Sequence, residues 1–572
     1  MPGFFISNKQ CDLNFSHAVG IRMVTEKLSF AGAAVYRHTL DKFMQDKVFA
    51  ETAEAVMILE GYVLNKARLL EEYQAADMEQ LLWLMYQAKG EQFFADLRGG
   101  FSGAFYDKNQ DKWLVFTNHM GDKAVFYATA VDRFICGSEL DWVIQAARQQ
   151  GVDLTFNEKA AYEMLTFAFM EQDDTYAREI KRLRGGMYLI YQKGKCEVKE
   201  YHTFHKNPKR FAGKSEMEII EEMDKVFREA VELEYAKDEE YGYQHLADMS
   251  GGLDSRMAAW VAHTIKPRHM QLLTFCKANY LDELIAKEIA QYWKDELLVK
   301  PLDDMSFVYD VDEMTYMNSG VALYVGPTGG KRLLECLNLE RFGLEHTGQI
   351  GDAVIGCFFS SQQDITERRP SGRYSEKLAH RLNDEYKNSR EDYELYLHYT
   401  RCFNGAMGSH LLRNHYVEVS SPFIYKEFFQ LCMDIPVELR IGHNIYKKWI
   451  LSKYPDAAKF RWEKIRNRID ISKSRMFLWK IIHRGPQKIA RILFGGAGVS
   501  KDGMNPLDYW YAHDPKVQKF YKEYYEHGVE NMKKAGLSSD LQKDMDYLFH
   551  EGNMCEKAMV MTVLAVVKRW FS

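Results

Sequence analysis

The chain has 572 residues, too many for one ordinary hydrophobic core, so two or three domains are expected. Hydrophobic residues make up 46% and charged residues 27% of the chain, a globular composition that excludes wholesale disorder. The net charge is −6, and lysines and arginines are spread along the sequence, so no general nucleic-acid footprint is visible. A small-molecule or peptide substrate fits this charge distribution better than a nucleic acid does.

The pattern of cysteines and the length of the apolar runs indicate in which cellular compartment the protein is expected. The nine cysteines are scattered and form no C-x-x-C pair, so neither a disulfide framework nor a structural zinc site is signalled. The opening residues, Met1 to Ile6, lack the basic and apolar segments of a signal peptide. The longest apolar run, Ala558 to Val567, is about half the length of a membrane span. We therefore expect reduced thiols, no transmembrane segment and a cytoplasmic protein.

The first part of the chain, residues 1–205, mixes strand and helix patterns and predicts an α+β domain. A polar tract with a proline, residues 205–210, predicts a linker after it. The predicted strands cover residues 55–59, 101–107, 113–116 and 187–191, and the predicted helices cover residues 79–88 and 158–168.

A second domain is predicted over residues 206–475. Apolar residues recur at helical spacing over residues 216–235, and a strand pattern over residues 243–249 follows. From there short apolar runs alternate with helices, which is typical of a parallel α/β sheet.

The last part of the chain, residues 476–572, predicts a helical extension rather than a separate catalytic module. Within it, residues 476–494 are basic and amphipathic. Such a segment is most often a surface helix packed by its apolar face, with a membrane or partner surface as the alternative.

The strongest motif is Ser250-Gly251-Gly252-Leu253-Asp254-Ser255, directly after the predicted strand. Its two glycines allow close backbone approach, and amides at a helix amino terminus attract anionic oxygens, so a phosphate site is predicted. It is neither a Walker A loop nor a G-x-G-x-x-G loop. The six residues resemble the PP-loop of ATP pyrophosphatases, which release pyrophosphate and leave AMP on the substrate. The alternative is a glycine turn with a helix-capping serine.

Further segments, in the same order along the chain, are similar to landmarks of the asparagine synthetases. Residues 347–356 resemble the S-G-E-G-x-D-E-x-x-G loop of that family. The other matches are residues 272–275 with the strand that borders the adenine, 282–290 with the D-E-x-x-x-A-x-x-x-A helix, 419–423 with the R-x-P-F segment, and 448–451 with the K-W/Y-x-x-R segment.

The resemblance implies ATP and Mg²⁺ as cofactors and gives roles to particular residues. Asp254 and Asp352 would bind the magnesium ion, because carboxylates screen the charge of the reacting phosphates together with the metal. Each aspartate alone could equally be a loop or capping residue. The resemblance assigns the pyrophosphate to the loop of Ser250, Gly251, Gly252 and Ser255, and the nucleotide to the backbone near Met249, Phe275 and Gly348.

The resemblance also implies catalytic side chains. Residues 460–464 match an R-x-K motif with one extra residue, which makes Lys464 the expected partner of the developing negative charge. Lys448 of the K-W segment and Gln349 of the S-G-E-G loop complete the predicted set. The alternative for Lys464 is a solvated lysine in a basic stretch. Gln349 and Ala353 stand where the family has acidic residues, a variation that favours a nucleophile or substrate other than those of ordinary asparagine synthesis.

Residues 97–107 and 121–127 are similar to a strand and a turn of class II glutamine amidotransferases, which implies an Ntn-hydrolase-like αββα sandwich. Such glutaminases attack with an amino-terminal cysteine. Here position 2 is Pro2, and residues 60–65 replace the asparagine and glutamate of the family's N-G-E-x-Y-N stretch. We therefore expect no glutaminase activity. Cys11 would become terminal only after removal of everything before it, so it is a poor substitute.

Together these patterns predict an α+β amidotransferase-like domain followed by an α/β PP-loop ligase domain, of the adenine nucleotide α-hydrolase-like type, with a helical extension. The expected reaction adenylates a small-molecule or peptide carboxylate and passes it to ammonia or an amine. The amine could belong to the substrate itself, as in β-lactam synthetases and lasso-peptide cyclases. The alternatives are a PP-loop enzyme acting on tRNA and a catalytically silent scaffold. A homodimer is compatible with the resemblance, and no nucleic-acid partner is expected.

Overall fold

The computed structural model describes residues 2–16, 20–30, 32–130, 132–326, 328–368, 372–382, 392–472, 474–475 and 500–572. Residues 476–494, for which the sequence predicts a basic amphipathic segment, lie outside the described residues.

Two antiparallel six-stranded sheets form the amino-terminal domain, with strand orders β10-β8-β9-β1-β3-β2 and β12-β11-β7-β6-β5-β4. Alternate apolar side chains of both sheets, such as Ile6 and Val115, meet in one buried layer, as expected where two sheets pack face to face. The strands are β1 Gly3–Ser7, β2 Met23–Phe30, β3 Ala33–Leu40, β4 Val48–Glu51, β5 Ala55–Gly61, β6 Phe101–Asp107, β7 Lys112–Thr117, β8 Val125–Ala130, β9 Arg133–Gly137, β10 Ile180–Leu183, β11 Met187–Gln192 and β12 Lys195–Glu200.

Helices cover the outer faces of both sheets. Two of them bury Leu69 and Leu81 against the second sheet, and the other two bury Trp142 and Leu165 in the cluster that contains Phe5 of the first sheet. The resulting αββα order agrees with the sandwich expected from the sequence. These helices are α1 Lys66–Tyr73, α2 Met78–Lys89, α3 Leu140–Gln149 and α4 Glu158–Phe167.

A five-stranded sheet follows, in the order β15-β14-β13-β16-β17, and every neighbouring pair in it is parallel. The strand order reverses direction between β13 and β16. In parallel sheets such a switch point opens a crevice at the carboxyl ends of the strands, where ligands bind. The strands are β13 Gln244–Asp248, β14 Met270–Cys276, β15 Glu296–Pro301, β16 Phe342–His346 and β17 Glu418–Ser420.

The helices of this region begin with α5, whose first residue follows a capping box between Ser215 and Glu218. A π-helical segment, His398–Ala406, lies between α12 and α13. The helices are α5 Glu216–Glu240, α6 Asp254–Ile265, α7 Leu281–Trp293, α8 Val311–Met317, α9 Thr328–Leu334, α10 Gly351–Ile355, α11 Gln362–Thr366, α12 Tyr393–Leu397, α13 Gly408–Arg413, α14 Lys426–Asp434, α15 Val437–Arg440 and α16 Asn444–Lys453.

The described part of the carboxyl-terminal region is helical, but its last helix is not peripheral. The apolar run Ala558 to Val567 is buried on all sides, in one cluster with residues of α3, α4 and α8. A helix that is apolar all round is a core helix. No helix among the described residues is long and apolar enough to span a bilayer. The helices are α17 Leu507–His513, α18 Pro515–Lys534, α19 Ser539–Glu551 and α20 Met554–Trp570.

Buried polar contacts tie the amino-terminal domain to the parallel sheet. Glu418 of β17 forms ion pairs with Lys123 and, at 3.5 Å, with Lys47, and these three side chains are at most 5% exposed. The hydroxyl of Tyr62 donates to the carbonyl of Val419 at 2.9 Å. The two domains are therefore held in one arrangement, which brings the end of α4 to the carboxyl edge of the parallel sheet. The predicted boundaries near residues 205 and 475 stay predictions.

Candidate active site

The two loops that the sequence singles out meet at the switch point of the parallel sheet. One loop follows β13 and ends where α6 begins at Asp254, and the other follows β16 and ends where α10 begins at Gly351. The backbone amide of Asp352 donates to Oδ2 of Asp254 at 2.8 Å. The hydroxyl of Tyr446, from α16, donates to Oδ1 of the same carboxylate at 2.9 Å. Two acidic residues from distant segments thus share one site.

Glycines make this approach sterically feasible. A Cβ atom on Gly348 would lie 2.1 Å from the backbone nitrogen of Ser255, and one on Gly351 would lie 2.7 Å from Cγ of Asp254. Both distances are far inside van der Waals contact, so the loops can pack this closely only without side chains at these positions. Between them, Ile350 takes a left-handed conformation with φ of 62°.

The serine-glycine loop is ordered by its own hydrogen bonds. Oγ of Ser255 accepts from the amide of Ser250 at 3.1 Å and lies 2.9 Å from Oγ of Ser250. The amide of Gly252 donates to Oγ of Ser250 at 3.2 Å, and that of Gly251 donates to the carboxylate of Asp282 at 2.8 Å. These amides are engaged within the protein, so their predicted role in holding pyrophosphate stays a prediction.

A cavity of about 710 Å³ opens beside the two loops, within the size range of small-molecule sites. Of the predicted nucleotide residues, Phe275 and Gly348 line it. Met249 is not among the lining residues; it is 1% exposed, and its amide donates to the carbonyl of Leu273 at 2.8 Å. The other lining residues used below are Phe167, Phe169, Asp254, Ala322, Gly326, Gln349, Asp352, Ala353, Phe358, Tyr374, Arg401, Arg413, His443 and Lys464.

The acidic pair is electrostatically unusual. Burial, together with the nearby charge of Asp352, raises the pKa of Asp254 to about 8, although the hydrogen bond from Tyr446 acts in the opposite direction. A carboxylate in this position is stabilised by a cation. Carboxylate oxygens are the ligands that Mg²⁺ and Ca²⁺ prefer, so the donor set of Asp254 and Asp352 fits a hard divalent ion.

The two predicted lysines occupy different environments. Lys464 lines the cavity, with Nζ 5.6 Å from the ring centre of Trp462. Lys448 is not among the cavity residues, because it forms an ion pair with Glu216 on the outer face of α16, where its side chain is 45% exposed. We therefore leave Lys448 out of the catalytic set. Gln349 lines the cavity, and its side-chain amide donates to the carbonyl of Ala406 at 2.7 Å.

Several residues in the cavity or directly beside its acidic pair were not predicted from the sequence. Tyr446 binds Asp254 directly, and its position two residues before Lys448 was the only available signal. His443 has a left-handed backbone with φ of 59°, and its buried Nε2 has no hydrogen-bond partner among the described residues. Burial and the charge of Lys464 lower the pKa of His443 to about 4, so the ring is neutral near pH 7. Phe167 comes from the amino-terminal domain, which no local pattern could indicate.

A second polar cluster lies inside the fold, away from this cavity. Asp238, His245 and His346 are close enough together to hold a metal ion. Hydrogen bonds account for their grouping, because Oδ2 of Asp238 lies 2.8 Å from Nε2 of His346 and 3.1 Å from Nδ1 of His245. We interpret the cluster as a core network that connects α5 to the parallel sheet.

Comparison with known proteins defines the class of the first domain. Residues 40–202 match the family model described as a glutamine amidotransferase domain. The chain is also 23% identical over 273 residues to the glutamine-hydrolysing asparagine synthetase 1 of Bacillus subtilis strain 168. This match covers 46% of the chain and spans only 41% of the length of that relative. The two matches support a relationship between this chain and the asparagine synthetase family.

Two solved structures are similar over about half of the chain. One is glutamine phosphoribosylpyrophosphate amidotransferase from B. subtilis complexed with ADP and GMP, with 9% identity, a TM-score of 0.22 and coverage of 48% of this chain and 77% of that one. The other is described as the allosteric regulatory enzyme of purine biosynthesis, with 10% identity, a TM-score of 0.22 and coverage of 47% and 66%.

Proposed function

We propose that this chain is an ATP-dependent, AMP-forming amide ligase whose parallel sheet is a PP-loop domain. The observation that carries the proposal is the contact between Asp254 and Asp352 at the switch point of the sheet, 2.8 Å from amide to carboxylate. That crevice is where a parallel α/β sheet binds its ligand. The relationship to asparagine synthetases adds the reaction type, ligation of nitrogen to a carboxylate.

In the proposed reaction, a carboxylate oxygen of the substrate bonds to the α-phosphorus of ATP, and pyrophosphate leaves. The nitrogen of ammonia or an amine then bonds to the acyl carbon, AMP leaves, and the nitrogen loses a proton. An acyl-adenylate is already reactive, so the site must chiefly orient the amine and exclude water. The alternative within this chemistry is an intramolecular cyclase, in which the amine belongs to the same substrate molecule.

The residues of the site have distinct proposed roles. Asp254 and Asp352 would hold the metal, and Tyr446 orients Asp254 through its 2.9 Å hydrogen bond. Bound Mg²⁺ would neutralise charge on the triphosphate and the departing pyrophosphate. Lys464 supplies a fixed positive charge at the cavity wall, where negative charge develops on the phosphoryl and acyl oxygens.

We further propose that the amino-terminal domain does not hydrolyse glutamine. The positions that match the family's glutamine-holding stretch are committed to internal contacts. Glu60, 2% exposed, accepts from Nε of Arg37 at 2.8 Å, and Tyr62, 1% exposed, donates to the parallel-sheet domain. Side chains engaged in this way support a structural role for the domain rather than a glutamine site.

A pyrophosphate-release assay tests the proposal. The chain would be incubated with MgATP and a panel of carboxylates, with ammonia, small amines or glutamine as nitrogen source. We expect release that depends on carboxylate and magnesium, supported by ammonia or an amine and not by glutamine alone, and abolished in Asp254→Asn. A chain that releases no pyrophosphate with any panel member, and binds no MgATP, is a scaffold instead. Turnover with glutamine alone would contradict the proposed loss of glutaminase.

A further inference from the structure

The cavity beside Asp254 carries information about the acyl substrate. We propose, resting on the ligase function above, that this substrate is a carboxylate with a large apolar or aromatic group and without a free ammonium group next to the reacting carboxyl. Free aspartate is then a poor substrate. Two features of the cavity support this: the assignment of both its acidic residues to the metal, and its apolar wall.

The acidic residues leave no partner for a substrate ammonium. Among the described residues that line the cavity, the acidic ones are Asp254 and Asp352, which are joined by a hydrogen bond from the amide of Asp352 and are assigned to the metal. Gln349, in the loop after β16, and Ala353, in α10, are neutral, and the side-chain amide of Gln349 donates to the carbonyl of Ala406. An ammonium group enclosed without a carboxylate partner loses solvation and gains little in return.

One wall of the cavity is apolar and is built partly by the amino-terminal domain. Phe167 and Phe169 stack with ring centres 5.8 Å apart, and both line the cavity. Phe169 is fixed between two elements. It forms a β-bridge with Ala322, and a Cβ atom on Gly405 of the π-helix would lie 2.7 Å from its ring. This rigid surface is suited to an apolar or aromatic group, which gains free energy by leaving water.

Further rings and cations line the cavity. Tyr374, 54% exposed, lies at the cavity edge, and the guanidinium of Arg401 sits 5.3 Å from the ring centre of Phe358. Arg413 is balanced by Glu345 and by Asp248 at 3.1 Å, but Lys464 adds another positive charge. The positive charge of Lys464 favours a carboxylate or phosphate beside it over an ammonium group.

The inference is tested with four carboxylates in a two-by-two design. For each one, the exchange of labelled pyrophosphate into ATP that depends on the carboxylate is measured. The probes are aspartate, N-acetylaspartate, phenylalanine and N-acetylphenylalanine, which vary the ammonium and the apolar group separately. We expect kcat/KM for N-acetylphenylalanine to exceed that for aspartate by about tenfold or more. Exchange with aspartate but not with N-acetylphenylalanine would overturn the inference and leave the ligase intact. Absence of exchange with every probe, together with no binding of MgATP, would overturn both.

Two variants test the cause of this preference. Phe169→Ala removes part of the apolar wall and is expected to raise KM for N-acetylphenylalanine by about tenfold, with Mg-dependent ATP binding unchanged. Gln349→Glu returns a carboxylate to the loop and is expected to shift the preference towards probes with a free ammonium group. A Phe169→Ala enzyme with unchanged KM for N-acetylphenylalanine, or a Gln349→Glu enzyme with unchanged preference, would contradict the proposed substrate class.

Discussion

The amide of Asp352 lies 2.8 Å from the carboxylate of Asp254, although 98 residues separate the two positions in the chain. This contact joins the loop after β13 to the loop after β16, across the switch point of the parallel sheet. Because Asp254 is buried and lies close to the negative charge of Asp352, its pKa is raised, and a cation at this position would stabilise its ionised form. The proposed ligase chemistry depends on this contact.

The close packing of the two loops predicts that one added methyl group, at Gly348, strongly lowers both stability and nucleotide binding. In Gly348→Ala the added carbon would lie 2.1 Å from the backbone nitrogen of Ser255, so one loop must move. We expect a loss of about 1–3 kcal/mol in the free energy of unfolding and weaker nucleotide binding. Denaturant unfolding and ATP calorimetry measure both. The control is Gly326→Ala in the same cavity, where the nearest atom is 3.6 Å away. Equal behaviour of the two variants would contradict the packing argument.

The two lysines form a matched pair for mutation. Lys464→Ala removes a positive charge from the cavity wall and is expected to lower kcat by about a hundredfold or more, with unchanged thermal stability. Lys448→Ala removes a half-exposed ion pair with Glu216, which contributes about 1 kcal/mol at most, so activity should stay near that of the native chain. Steady-state kinetics give kcat for both variants and thereby show which lysine takes part in catalysis. A larger loss from Lys448→Ala than from Lys464→Ala would reverse the assignment.

A buried ion pair between Glu394 and Arg440 makes the free energy of unfolding depend on pH in the acidic range. Both carboxylate oxygens of Glu394 accept from the fully buried Arg440 at 2.7 Å. Burial alone would raise the pKa of Glu394, but Arg440 holds it at about 2. Glu394→Gln is therefore expected to cost about 3–5 kcal/mol near neutral pH.

The sign of the pH dependence of Glu394 follows from its lowered pKa. The stabilisation is fully present above the unfolded-state pKa, which is about 4.3, and is lost as the pH falls through about 2. The difference in unfolding midpoint between the native chain and Glu394→Gln should thus be constant from about pH 7 to 5 and shrink below about pH 4. A difference that grows on acidification would rule out this pairing as the cause.

The hydrogen bond between His346 and Asp238 predicts the opposite pH dependence of stability, with a loss of stabilisation at high pH. Burial lowers the pKa of His346, but the carboxylate of Asp238, 2.8 Å from Nε2, outweighs it and raises the pKa to about 9. The charged form is favoured by folding, so its stabilisation is complete below about pH 6.5 and is lost as the pH rises through about 9. The midpoint difference between the native chain and His346→Gln, followed from about pH 6 to 10, should decrease. A constant difference would mean that His346 is neutral in the fold.

Local patterns predicted most of the elements that position the site. The strand at Phe101–Asp107 and the helix over Glu158–Phe167 follow the apolar spacing closely, and the serine-glycine turn lies between β13 and α6 as its composition requires. The predicted pairing of Asp254 and Asp352 rested on order along the chain, and the fold brings them together because parallel strands share their carboxyl edge.

What the sequence could not predict depends on orientation and long-range packing. Tyr446 and Lys448 are two residues apart on α16, so they point to different sides of the helix, and only Tyr446 reaches Asp254. Phe169 enters the cavity because the amino-terminal domain docks on the parallel sheet, a contact with no local signature. Helix α20 belongs to the predicted helical extension, and its apolar run over residues 558–567 is buried in a core shared with α3, α4 and α8, a contact that no local pattern indicates.

The most direct test of the central claim is calorimetric titration of ATP into the native chain and into Asp352→Asn, each with and without Mg²⁺. We expect the native chain to bind ATP only with magnesium, and the variant to lose most of that magnesium-dependent affinity while keeping its thermal midpoint. Equal ATP binding by both proteins, or binding that ignores magnesium, would contradict a metal-bound nucleotide held between Asp254 and Asp352.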